Sequence, residues 1–123
     1  MGASELSAFK EKMRTKKVAH DCVKFSLELP ENVLGNPIHK QLIRCSTSVA
    51  ANYRASCIAQ TIPSVISKMS IAIEEADESE FWIEFAMDEK IVECEKSRKL
   101  IQEVHEIASI LIKSRQTQQS KRF

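Results

Sequence analysis

Residues 37–59 read PIHKQLIRCSTSVAANYRASCIA, and their spacing decides the fold. Ile38, Leu42, Cys45, Val49, Asn52 and Ser56 recur at steps of 4, 3, 4, 3 and 4. Such steps hold side chains on one stripe of an α-helix, which has about 3.6 residues to a turn. Asn36 is read as the N-cap and Pro37 as the first helical residue, where a missing N–H costs nothing. The segment is therefore predicted as a helix over about 37–59.

The flanks repeat the pattern. Upstream, Phe9, Met13, Val18, Cys22, Phe25 and Leu29 follow at 4, 5, 4, 3 and 4, predicting a helix over about 7–29. Pro30, Gly35 and Pro37 separate the two helices. Downstream, Thr61 can cap a third helix over about 62–88, with Pro63 in its first turn. Its apolar positions are Ile62, Val65, Met69, Ala72, Ala76, Ile83 and Met87.

No Gly or Pro follows Pro63. Propensity alone would run one helix from Pro63 to about Gln118, a rod of roughly 80 Å at 1.5 Å per residue. A 14.0 kDa globule cannot cover such a rod. A turn is therefore placed at residues 88–94, and a fourth helix over about 95–118 carries Leu100, Val104, Ile107 and Leu111. Four helices of similar length joined by short loops form an all-α, up-down-up-down four-helix bundle. Residues 1–123 are read as one domain, with 1–6 and 119–123 frayed.

Composition agrees. Two Gly and three Pro among 123 residues are too few for a β-sandwich or barrel, and 43% hydrophobic residues argue against disorder. A formal charge of +1 supplies no global field toward nucleic acid or membrane. No apolar run approaches a membrane span, and the first residues hold no signal-peptide core, so the expected location is the cytoplasm. Cys22, Cys45, Cys57 and Cys94 form no CxxC pair and are read as reduced thiols.

Chemistry-bearing motifs are scarce. Lys17, Asn36 and Gln102 stand three residues before His20, His39 and His105, so the Glu-x-x-His signature of di-iron bundles is absent. HExxH, GxSxG and a glycine-rich phosphate loop are absent too. The expectation is no enzyme, no metal, no cofactor and no small-molecule substrate.

Charge is uneven along the chain. Lys10, Lys12, Arg14, Lys16, Lys17, Arg54, Lys113 and Arg115 fall toward one end of the bundle and form a candidate nucleic-acid rim. Glu74, Glu75, Glu78 and further acids climb the third helix. If the second and third helices form a hairpin pivoting near residue 60, Arg44 comes within reach of Glu75 or Glu78. The stretch Phe81, Trp82, Ile83, Phe85, Ala86 and Met87 is apolar nearly all round, so Phe81, Trp82 and Phe85 are read as a subunit interface.

The segment QLIRCSTSVAANYRASC, followed by SKMSIAIEEADESEFWIEF, resembles the bacterial four-helix-bundle family of 23S rRNA intervening-sequence (S23) proteins. The polar residues that carry the resemblance are Gln41, Arg44, Ser48, Asn52, Arg54, Glu74, Glu75 and Glu78. It implies a left-handed bundle that assembles into a ring, commonly a homopentamer. It also implies kinship with a nucleic-acid-binding accessory protein of diversity-generating retroelements. Two departures stand out: CIAQTIP replaces a basic, Ser-containing turn, and Lys90 stands where relatives often place Gly. The expected function is a non-catalytic, homo-oligomeric scaffold. The alternative is an RNA- or DNA-binding accessory protein that uses the basic rim.

Overall fold

The computed structural model describes residues 3–121, with side chains from Glu5 onward. Helix α1 spans Ala3–Leu27, α2 Gly35–Ile58, α3 Ile62–Asp88 and α4 Cys94–Ser120, with no strand among the described residues. Each helix packs on its chain neighbours and α4 closes back on α1, while the diagonal pairs stay apart. That is the predicted up-down-up-down bundle. The α2–α3 seam is the most extensive and the α1–α4 seam the thinnest.

Helix ends correct the sequence reading in places. Residues 3–6 and 119–120, expected to fray, are helical; residues 1–2 and 122–123 lie outside the described residues. Glu5 in the first turn of α1 faces the positive end of the helix dipole. Helix α1 stops at Leu27 because Pro30 disfavours α geometry at Leu29. The chain tightens there through Glu28 N–H to Phe25 O and Leu29 N–H to Ser26 O.

Asn36 is not the cap of α2. Leu34 occupies the cap position without a side-chain bond. Asn32 does the capping instead, its Oδ1 accepting from Leu34 N–H at 3.0 Å and Gly35 N–H at 2.8 Å. This turn also requires glycine: a Cβ on Gly35 would lie 1.9 Å from the Pro30 carbonyl oxygen.

The other two turns follow expectation. Thr61 Oγ1 accepts from Ser64 N–H at 3.2 Å, with Pro63 in the first turn of α3. Helix α3 ends where chain length demanded a break, at Lys90, whose φ is 58°. Lys90 N–H donates to Met87 O at 2.9 Å and Ile91 N–H to Ala86 O at 3.3 Å, a left-handed cap that normally takes glycine.

The core is built from Val18, Cys22, Phe25, Ile38, Leu42, Cys45, Val49, Ile83, Leu100, Val104, Ile107 and Leu111, among others. Phe9 and Met13 are a correction, being 52% and 55% exposed. The five-residue step from Met13 to Val18 turns the helix about 140° beyond a full revolution, which throws both side chains off the buried stripe. Thr15 takes the inward position there.

The core also holds six buried hydroxyls that apolar spacing did not reveal: Thr15, Ser26, Ser46, Ser56, Ser79 and Ser97. Each donates to a carbonyl three or four residues earlier in the chain, as Ser26 does to Cys22 O at 2.9 Å and Ser79 to Glu75 O at 2.8 Å. Self-satisfied hydroxyls behave as small residues and let the helices approach closely.

Candidate interaction site

The α2–α3 seam carries a charged network on its outer edge. Arg44 donates through Nη1 to Glu75 Oε2 at 2.9 Å and through Nη2 to Glu78 Oε2. Its Nε donates to Gln41 Oε1 at 3.1 Å. All three guanidinium nitrogens are thereby directed, and the Glu78 hydrogen bond is the main cause that raises the Arg44 pKa. Glu78 Oε2 also accepts from Trp82 Nε1 at 3.2 Å. Gln41, Arg44, Glu75 and Glu78 thus act as one unit that fixes α3 against α2 and orients the indole.

The remaining motif residues do not join that unit. Asn52 folds back on its own helix, donating to Ser48 O and to Ser48 Oγ, both at 2.9 Å. Arg54 and Glu74 stand exposed. Behind the network, Ser79 Oγ, whose proton goes to Glu75 O, lies 3.2 Å from Cys45 Sγ. Burial pushes the Cys45 thiol up to about 11 and the Cys22 thiol up to about 12. Both are therefore held protonated, as core groups rather than nucleophiles.

The indole anchors an aromatic cluster. Trp82 is half-buried against the core, while Phe81 and Phe85 are 51% and 38% exposed. Phe81 meets Trp82 edge-on at 5.0 Å between ring centroids, and Phe85 lies 6.0 Å from Phe81 and 6.1 Å from Trp82. Ile83 and Ala86 point inward and are fully buried. Helix α3 thus presents two aromatic rings outward on a preordered base. Exposed Glu74, Asp77, Glu84 and Asp88 frame them. Glu84 is shifted upward by partial burial first, then by Glu80, Asp88 and Asp77, like charges crowding one surface.

The basic rim is dispersed. Lys10, Lys16 and Lys17 share the outward face of α1, with Lys17 bound to Asp21 at 2.7 Å. Lys12 is half-buried, and Arg14 reaches α4 to pair with Glu106 at 2.6 Å. Lys113 is exposed on α4, whereas Arg115 turns inward and donates to Ser70 Oγ at 3.2 Å. Arg54 stands on α2. Three of the eight cations therefore share one surface.

The histidines do not converge. His39 Nδ1 lies 2.8 Å from Ser26 O, His105 Nδ1 lies 3.3 Å from Glu80 Oε1, and His20 is exposed on α1. Among the described residues no three His, Cys, Asp or Glu side chains gather in a metal-holding group. A cleft of about 460 Å³ opens at the end of the bundle where Ser7, Tyr53, Cys57, Met69, Thr117 and Lys121 meet, and among the described residues no His, Asp or Glu lines it. No helix among the described residues is long and apolar enough to cross a membrane.

Comparison with known proteins turns on this same architecture. A comparison with curated proteins gives no match. A crystal structure of a protein of unknown function from the S23 ribosomal protein family of Bacteroides thetaiotaomicron superposes with a TM-score of 0.76 at 29% identity. The alignment covers 84% of this chain and 95% of that one. The model of the 23S rRNA-intervening sequence protein family matches residues 8–113, a span that takes in the Arg44 network, the aromatic face and most of all four helices. By that match the chain belongs to the 23S rRNA-intervening sequence protein family.

Proposed function

We propose that the protein is a non-catalytic, cytoplasmic building block that associates with copies of itself and serves as a scaffold. The observation that carries this reading is the aromatic face of α3. Phe81 and Phe85 are exposed on a base that Trp82, Glu78 and Arg44 hold in place. Solvent-facing aromatic rings on a rigid support are characteristic anchors of protein interfaces. A ring of five subunits is the assembly that the family resemblance favours. Four free thiols, with Cys57 and Cys94 exposed, suit a reducing compartment.

Nucleic-acid binding through the basic rim has less support. Arg14, Lys17 and Arg115 are already engaged, and Lys113 and Arg54 lie on helices other than α1. The test of the leading reading is sedimentation velocity on the wild type and on Phe81→Ser/Phe85→Ser. The expected result is a multimer for the first and a smaller species of equal helical content for the second. Identical sedimentation of the two would remove the α3 face as the interface.

A further inference from the structure

We infer that the outward face of α1 is the surface on which the aromatic face of α3 from a second copy docks, head to tail. The inference rests on the self-association proposed above and adds its counterpart surface and its symmetry. Five-residue spacing, which removed Phe9 and Met13 from the core, leaves them exposed on α1, and Leu27 is 68% exposed on the same helix. Lys10, Lys16 and Lys24 stand exposed among them. By helical spacing these six side chains fall within one outward sector of α1.

The outward sector of α3 mirrors this arrangement with the opposite sign. Its exposed residues are Glu74, Asp77, Phe81, Glu84, Phe85 and Asp88. Among the described residues none of Lys10, Lys16, Lys24, Glu74, Asp77, Glu84 and Asp88 takes part in an ion pair. Each face therefore combines uncovered apolar side chains with charged side chains outside any ion pair.

Sign decides the pairing. Two α1 faces set together would oppose lysine to lysine, and two α3 faces carboxylate to carboxylate, which disfavours a two-fold dimer on either face. Setting α1 on α3 opposes lysine to carboxylate and covers Leu27, Phe81 and Phe85. The two helices run in the same direction, so copies with parallel axes place the second half of α1, with Lys16, Lys24 and Leu27, opposite the acidic and aromatic half of α3. The helices are also diagonal to one another, with no Cα pair within 8 Å between them among the described residues. One copy can therefore use both faces at once, and the contact is heterologous, closing a ring or extending a chain.

Charge exchange tests this directly by sedimentation velocity, with circular dichroism confirming folding. K16E/K24E and E74K/E84K should each associate at least about tenfold more weakly than wild type, because each sets like charges together across the contact. The four substitutions combined in one chain should restore assembly, since acidic α1 then meets basic α3 at every contact. Wild-type assembly by K16E/K24E, or a combined variant that stays dissociated, would overturn the inference. Loss of assembly in F81S/F85S alongside wild-type assembly in K16E/K24E would keep the α3 interface and reject α1 as its counterpart. A monomeric wild type would reject both. Unchanged mass in K16E/K24E with loss of binding to a single-stranded RNA would assign the α1 face to nucleic acid, also against the inference.

Discussion

Arg44 on α2 and Glu78 on α3 are joined across the helix seam, and the carboxylate oxygen that receives the guanidinium also receives the Trp82 indole N–H. One acidic side chain therefore connects the register of two helices to the orientation of an aromatic surface. The ion pair lies at the edge of the fold, with the Arg44 side chain 48% and the Glu78 side chain 36% exposed. Its contribution is thus expected to be positional more than energetic.

Replacement of Arg44 by Met separates those two contributions. Solvent screening keeps the loss of thermal stability small. Assembly should weaken more than stability does, because Trp82 and the two phenylalanines lose their fixed base. Thermal unfolding and sedimentation of one preparation measure both. A large stability loss with unchanged assembly would make the network a folding element alone.

The turns supply a paired prediction on stability. Lys90 carries a side chain at a φ of 58°, so Lys90→Gly should stabilise the protein by about 1 kcal/mol. Gly35→Ala should act the other way, since its Cβ would sit 1.9 Å from Pro30 O and force the turn apart. A loss of about 1–3 kcal/mol is the usual scale for such crowding. Urea unfolding of the two variants checks both signs.

Thiol chemistry reports on the core. Cys57 and Cys94 are exposed and should react promptly with an aromatic disulfide reagent, whereas Cys22 and Cys45 should react upon unfolding. The buried pair also predicts an alkaline limit. Burial raises their folded pKa values to about 12 and about 11 from an ordinary 9.0, so the folded state retains protons that the unfolded state releases. The stabilisation is complete below pH 9 and is lost as pH rises toward the folded values, by up to about 1.4 kcal/mol per pH unit for each thiol. Urea midpoints across this range should fall in the wild type and fall less in Cys22→Ala/Cys45→Ala.

What could be read in advance depended on how directly each feature follows from spacing. The buried stripe of α4, Leu100, Val104, Ile107 and Leu111, has regular steps and is buried as its spacing requires. The third turn carries no breaker, yet chain length alone demanded it, and Lys90 provides it. Phe9 and Met13 misled because a five-residue step looks helical on paper and rotates the stripe in space. The buried serines gave no apolar signal, since their hydroxyls are satisfied by carbonyls three or four residues earlier in the chain. Asn36 was read as the cap of α2, but Asn32 takes that role, in a turn where Gly35 closes tightly on Pro30. Of the site, the reach of Arg44 to Glu75 and Glu78 was legible from hairpin arithmetic. The sharing of Glu78 with Trp82 needed the three-dimensional packing of α3.

The central claim is that the aromatic face of α3 is covered by another copy of the same chain. Light scattering on the purified wild-type protein, coupled to size exclusion, tests it most directly. The account predicts a mass that is a multiple of 14.0 kDa, falling in Phe81→Ser/Phe85→Ser. A wild-type mass of a single 14.0 kDa chain at every concentration tested would contradict it.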